Sequence, residues 1–236
     1  MFVKKAGNIA LLLKIGSAAL SSRSTRKFYD RIAPVYDRMF VSHKIHCDTI
    51  LKILDQSYAK KNRKISLLDL GCGTGLVSIL ASDRGFKVTG LDISFCSLRL
   101  LKKSRPQLAA IQAEAAVIPA ADHSFDAVVC LGALRHFHCI EAVIAETSRV
   151  LTRDGIFIAG YFPPDAAGLI AIRQNILTTP LIRGYHRLTG TLGYLDRIDQ
   201  SLEVEIEQQT ARNFKTVYRE NSGATKHLLV ARHPLP

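Results

Sequence analysis

LLDLGCGTG, from Leu67 to Gly75, decides the fold. It opens as an apolar run and ends in three glycines at alternate positions, where the helical pattern Leu76–Arg84 begins. A strand that passes through a glycine turn into a helix is the start of a β-loop-α unit. Gly71 lets the chain turn sharply, Gly73 lets a ligand lie against bare backbone, and Gly75 lets the helix begin close to the sheet.

Outward from this loop, β-type stretches recur at Ile65–Leu70, Phe86–Leu91, Leu108–Ile111, Phe125–Leu131, Gly155–Tyr161, Phe214–Tyr218 and Lys226–Ala231. Helical patterns fill the gaps at Phe95–Ser104, Ile140–Leu151 and from Ala166 to Asn213. Three of the strands are near-continuous apolar runs, the pattern of strands covered on both faces. Strand and helix in alternation predict an α/β fold with a mostly parallel seven-stranded sheet and helices on both faces. Arg153-Asp154-Gly155 reads as the turn between a helix and the fifth strand, and Pro163-Pro164 as that strand's stop. Asn221-Ser222-Gly223 reads as a hairpin turn that makes the last strand antiparallel.

The second informative residue is Asp92, at the end of the apolar stretch after the glycine loop. A carboxylate there suits the two ribose hydroxyls of an adenosine, because it can accept two O–H donors at once. The competing role is a helix N-cap at the strand end. The glycines read GxGxG, and Leu76 stands where a dinucleotide fingerprint has its third glycine. Dinucleotides bring a pyrophosphate, which suits a bare helix N-terminus. Here Asp69 precedes the turn, and an acid beside the ligand suits a cation better. A sulfonium carrying an α-amino group is such a ligand.

Four segments together resemble the class I S-adenosylmethionine-dependent methyltransferases of Rossmann-like fold, over roughly residues 27–160. They are FYDRIAPVYDRMF (Phe28–Phe40), LLDLGCGTG, AEAAVIPAADHSFDAVV (Ala113–Val129) and ETSRVLTRDG (Glu146–Gly155). Within that class the likeness is to the ubiquinone/menaquinone-biosynthesis C-methyltransferases. It implies S-adenosyl-L-methionine as cofactor, with Cys72, Thr74 and the glycines along its methionine part and Asp92 with Ile93 at the ribose. Glu114 would meet the adenine amino group, Ala115 the ring, and Leu131 would contribute backbone only. Tyr36 would cover the cofactor near its sulfonium, where a ring face favours a cation; packing with Val35 and Phe40 is the alternative. GALRHF (Gly132–Phe137) follows the fourth strand, where the acceptor approaches. There Arg135 would stabilise a phenolate and His136 would act as base. Surface roles are the alternative for both. His43, His46 and His138 are further candidates near the mouth. The likeness fades after Tyr161.

The chain of 236 residues has 47% hydrophobic residues, enough for one large domain. The expected division is a basic amphipathic leader over 1–25 and a single domain over 26–236. Within it, 26–60 forms an N-terminal helical cap and 162–212 a helical acceptor-side region. Net charge is +12. Lys4, Lys5, Lys14, Arg23, Arg26 and Lys27 contribute to it, with no acid before Asp30. The apolar run Ile9–Ile15 is too short to span a bilayer, which takes about 20 apolar residues. No small-residue cleavage site follows it, so the leader reads as a membrane-surface helix, a transit peptide or a docking helix, not as a secretion signal. The five cysteines form no CxxC pair, and no zinc spacing or disulfide framework is legible. Cys72, Cys96 and Cys130 read as buried filler. These features point to a reducing compartment, cytoplasmic or an organelle matrix, with peripheral membrane contact through the N-terminal helix. The expected activity is methyl transfer to a small lipophilic acceptor. A phospholipid N-methyltransferase and a non-catalytic methyltransferase-fold assembly factor remain open. Pro163-Pro164-Asp165 follows the fifth strand, not the fourth, and no aromatic and basic residues interleave as a stacking platform, so nucleic acid is disfavoured.

Overall fold

A computed structural model describes residues 17–18, 21–22, 24–39, 43–161, 200–221 and 227–235. Most of the leader, Pro163-Pro164-Asp165, the helical stretch up to residue 199 and the turn at Ser222-Gly223 lie outside the described residues.

Helix α1 (Thr25–Ile32) leads through a 3₁₀ turn (Ala33–Val35) into the short α2 (Tyr36–Met39), and α3 (His43–Tyr58) follows. The alternation then runs β1 (Ser66–Leu70), α4 (Leu76–Asp83), β2 (Lys87–Asp92), α5 (Phe95–Ser104), β3 (Ala109–Gln112), β4 (Phe125–Leu131), α6 (Ile140–Val150) and β5 (Leu151–Tyr161). Helix α7 (Gln200–Asn213), β6 (Phe214–Asn221) and β7 (His227–Pro234) complete it. The strands form one sheet in the order β3-β2-β1-β4-β5-β7-β6. The first four pairings from β3 to β5 are parallel, and β7 is antiparallel to both β5 and β6. The mixed seven-stranded sheet expected from the sequence is therefore the sheet observed.

Both faces are covered. Leu68, Leu70, Val128, Cys130, Phe157 and Ala159 pack with Ile140, Val143 and Ile144 of α6 and Leu202 and Ile206 of α7. Leu67, Ala127, Val129, Ile156 and Ile158 point the other way, to α3, α4 and α5. Neighbours in one strand thus serve opposite layers, because side chains alternate across a pleated sheet. Each fully buried Leu or Ile contributes about 1.5–3 kcal/mol. Two of the three cysteines expected to be filler are buried, Cys72 and Cys130, while Cys96 is half-buried.

The Arg153-Asp154-Gly155 turn sits differently from expectation. Leu151 already pairs with Phe125, and Ile156 pairs with Ala127, so the intervening residues loop out within β5. The helix stops at Val150, and its C-cap Leu151 is already extended. Asp126 anchors the start of β4: Arg63 grips its carboxylate with both guanidinium nitrogens, and the Ser66 N–H donates to it at 2.9 Å. No helix among the described residues is long and apolar enough to cross a membrane.

Candidate active site

The site lies at the C-terminal edge of the parallel strands, at the point where the strand order reverses between β1 and β4, the usual ligand position of such sheets. A cavity of about 460 Å³ opens there, well within the range of small-molecule sites.

The glycine loop forms its floor. Gly71 has φ +71°, and a Cβ there would come within 2.4 Å of the Ala133 Cβ, so only glycine lets the loop after β4 approach. Gly75 is also left-handed, at φ +93°, and Leu101 of α5 fills the space its side chain would need. Gly73, at φ +55°, differs: the nearest atom to a built Cβ is a ring carbon of Tyr36 at 3.9 Å. Its bare backbone faces the cavity, with Tyr36 across from it.

Asp92 stands beside this loop on the cavity wall. One carboxylate oxygen accepts the Gly73 N–H and the other the Ser94 N–H, both at 2.8 Å. Each oxygen keeps a lone pair for a further donor. Burial pushes the Asp92 carboxyl above its ordinary value, against the pull of those N–H groups. The helix N-cap is Ser94, whose hydroxyl accepts from the Ser97 N–H, so Asp92 is not itself the cap. Ile93, Glu114 and Ala115 continue the wall from the ends of β2 and β3. The Glu114 loop is held from behind: Glu146 accepts the Ile118 N–H at 2.7 Å, and Arg149 donates to the Ile118 and Ala120 carbonyls. The hydrogen bond from Arg149 holds the Glu146 carboxyl below its ordinary range.

Aromatic residues close the other side. Tyr29 and Tyr36 from the cap and His136 and Phe137 from the loop after β4 all face the cavity. The Tyr29 ring meets Tyr36 edge-on at 6.2 Å and His136 at 5.5 Å. Burial, and then the nearby Asp92 charge, push the Tyr36 phenol well above its ordinary range, so it stays protonated. Arg135 opposes that shift from close by, but it is half-buried and off the cavity wall. His138 is exposed on the rim, where its Nε2 lies 3.4 Å from the Thr25 hydroxyl. His46 is buried in α3, away from the cavity wall, and the His43 side chain lies outside what is described.

Several predicted contacts face elsewhere. Asp69 is buried behind the loop and accepts both the Ser78 N–H at 2.9 Å and the Ser78 hydroxyl at 2.6 Å. Burial pushes its carboxyl up to about 7, with the Ser78 hydrogen bonds pulling the other way. Cys72 packs in the apolar layer between the sheet and its helices, and Leu131 packs on the same side. The Thr74 hydroxyl donates to Asp37 of α2 instead of facing the cavity. Of the residues proposed for the cofactor, Tyr36, Gly71, Gly73, Asp92, Ile93, Glu114 and Ala115 line the cavity; Asp69, Cys72, Thr74, Gly75 and Leu131 do not.

Ser24, Thr25, Arg26 and Tyr29 were not anticipated and line the cavity from the cap. One signal was available, since the dipeptide Tyr-Asp occurs twice, at 29–30 and 36–37. Both tyrosines face the cavity. Both acids pin the cap: Asp30 accepts the Ser94 hydroxyl at 2.7 Å and the Cys96 N–H at 3.0 Å, and Asp37 accepts from Thr74.

The wall fits an adenosyl sulfonium. Bare Gly73 backbone, a carboxylate with spare acceptor capacity and a half-buried tyrosine ring line the same cavity.

Comparison with known proteins agrees. Residues 68–159 match the family described as "Methyltransferase domain". A demethylmenaquinone methyltransferase of Chlorobaculum parvum is 32% identical over 142 residues, 57% of this chain and 58% of that protein. The chain thus spans less than two thirds of that relative's length. Its counterpart from Thermus thermophilus is 25% identical over 186 residues, 74% of this chain and 83% of the relative. Among solved structures, a Pyrococcus horikoshii protein superposes with TM-score 0.57 at 22% identity, covering 84% of this chain and 98% of its own. A magnesium protoporphyrin IX methyltransferase of Synechocystis, solved with bound S-adenosylmethionine, gives 0.51 at 18% identity over 80% of each chain. These two likenesses concern the fold. With the glycine loop, the strand-end acid and the matched segment in agreement, residues 68–159 match a methyltransferase domain, and the chain resembles the class I S-adenosylmethionine-dependent methyltransferases of the menaquinone group.

Proposed function

We propose that this protein transfers a methyl group from S-adenosylmethionine to a small lipophilic acceptor of the quinone-precursor kind. The observation that carries this is the make-up of one cavity: the Gly73 backbone and the Asp92 carboxylate together with the rings of Tyr29, Tyr36, His136 and Phe137. The names of the relatives, demethylmenaquinone methyltransferases, support the acceptor class.

When bound, the cofactor supplies a methyl group already activated for in-line displacement. The protein's part is therefore to position two reactants and keep water away. Asp92 accepts the ribose hydroxyls, and Ala115 and Glu114 meet the adenine. The Tyr36 ring covers the cationic end, and its phenol stays neutral. Tyr29 and Phe137 flank a flat acceptor ring. His136, on the wall, takes the phenolic proton of that ring. Arg135, whose charge already acts on Tyr36, stabilises negative charge as it develops. Orientation of this kind supplies roughly 7–11 kcal/mol in favourable cases.

The test is turnover with radiolabelled methyl donor. A reduced demethylnaphthoquinone should be labelled, and phosphatidylethanolamine should not. Label in the phospholipid instead would make the protein a lipid N-methyltransferase. Tight cofactor binding with neither acceptor labelled would favour an assembly role.

A further inference from the structure

Helices α1 and α5 lie against each other at one flank of the cavity, joined by the Asp30 hydrogen bonds to Ser94 and Cys96. Their outward face is strongly cationic. Arg26, Lys27 and Arg31 are exposed on α1, and Arg99, Lys102 and Lys103 on α5. Asp30 is the sole acid within residues 24–32 and 93–104; one of its oxygens caps α5, and the other pairs with Arg26 at 3.9 Å. The exposed positions of α5 form one stripe, since 95, 99 and 102–103 recur at helical spacing, while Ser97, Leu98 and Leu101 are buried.

Phe95 heads that stripe and is 54% exposed. It stands between two residues of the cavity wall, Ile93 and Ser97, yet points outward. Val117, 70% exposed, follows wall residues Ala115 and Ala116 on the neighbouring strand's loop. The loops are tied, because the Gln112 side chain donates to the Ile93 carbonyl at 3.1 Å. Two apolar side chains at a cavity rim, flanked by a cationic stripe, match the layered chemistry of a bilayer surface. Apolar groups enter below the headgroups, and lysine and arginine meet the anionic headgroups. A nucleic-acid surface would instead stack successive bases on several aromatic rings, and this face has one.

We infer that the α1–α5 face docks on an anionic phospholipid surface, with Phe95 and Val117 inserted. The cavity rim then faces the bilayer. This inference goes beyond the proposed methyl transfer and stands without it, since docking needs neither cofactor nor acceptor.

Flotation of the full chain with vesicles tests it. Phosphatidylcholine vesicles containing phosphatidylglycerol should carry the protein, and pure phosphatidylcholine vesicles should not. Arg99→Glu with Lys103→Glu should weaken partitioning about tenfold or more, since each basic residue near the surface counts individually. Lys60→Glu with Lys61→Glu makes the same change in net charge beside the start of β4, off the α1–α5 face, and should leave partitioning unaltered. Phe95→Ser should lower it in high salt, where the apolar contribution dominates. All the substituted side chains are exposed, and matched thermal melts would establish that the variants fold. Equal losses in the two charge-reversed pairs would overturn the inference, as would equal binding to both vesicle types. So would full binding by the Arg99/Lys103 pair, or binding of single-stranded RNA without vesicles.

Discussion

At the scale of single residues, the site depends on where a side chain is missing and where a charge is buried. Gly71 combines a left-handed backbone with an Ala133 Cβ that would lie 2.4 Å from its own. Gly71→Ala should cost at least about 1–3 kcal/mol from the backbone alone, read as a shift in the chemical denaturation midpoint. Asp92 has its two oxygens spread between Gly73 and Ser94, which fixes its direction before any ligand arrives. Asp92→Ala should weaken donor binding about tenfold or more, the equivalent of roughly 1.4 kcal/mol. Unchanged affinity in calorimetric titration would remove the ribose role. Asp69 makes a pH prediction. Its carboxyl is raised to about 7 in the folded protein, so the folded state holds a proton that the unfolded state has released. The stabilisation is complete below the ordinary carboxylate range and is lost as pH rises through about 7. Asp69→Asn removes that slope. Its melting temperature relative to the parent should therefore rise between about pH 5 and about pH 8, and a constant difference would count against the buried proton.

At the scale of elements, the cap and the glycine loop act together. Helix α1 caps α5 through Asp30, α2 holds Thr74 through Asp37, and Ser94 links Asp30 to Asp92. The proposed donor site and the docking of the cap therefore share Ser94. Asp30→Ala removes a carboxylate from two donors, a loss of about 1.5–3 kcal/mol for a charge-assisted hydrogen bond. Amide exchange in residues 25–36 should accelerate well before that in β1 or β4; uniform exchange would argue against a separately docked cap. The repeated Tyr-Asp dipeptide carries this design in compressed form, with each tyrosine facing the cavity and each acid pinning its helix.

At the scale of the whole molecule, the sheet order places every strand end that bears a site residue on one edge. Asp92, Ala115 and His136 are far apart in sequence and share one cavity because β3, β2, β1 and β4 are parallel neighbours. Arg135 lies in the loop after β4 and does not line the cavity, but its charge acts on the Tyr36 phenol. Arg135→Ala should therefore reduce turnover more than donor affinity. Equal losses would make it part of the cofactor site.

Much of this was legible in the chain, for local reasons. Glycines at alternate positions after an apolar strand, and an acid at the end of the next strand, determine a β-loop-α unit and its ligand end. The strand and helix periodicity determines the parallel sheet, and the hairpin signal its reversed strand. Packing across the chain decided the rest. Asp69 and Thr74 look like ligand contacts in a linear motif, but Ser78 and Asp37 hold them, and neither lines the cavity. Thr25 carries no local mark of a site, and α1 brings it to the cavity by closing over a loop more than a hundred residues away, where it meets His138. A motif specifies the path of its own backbone; which face each side chain presents is set by the elements that pack against it.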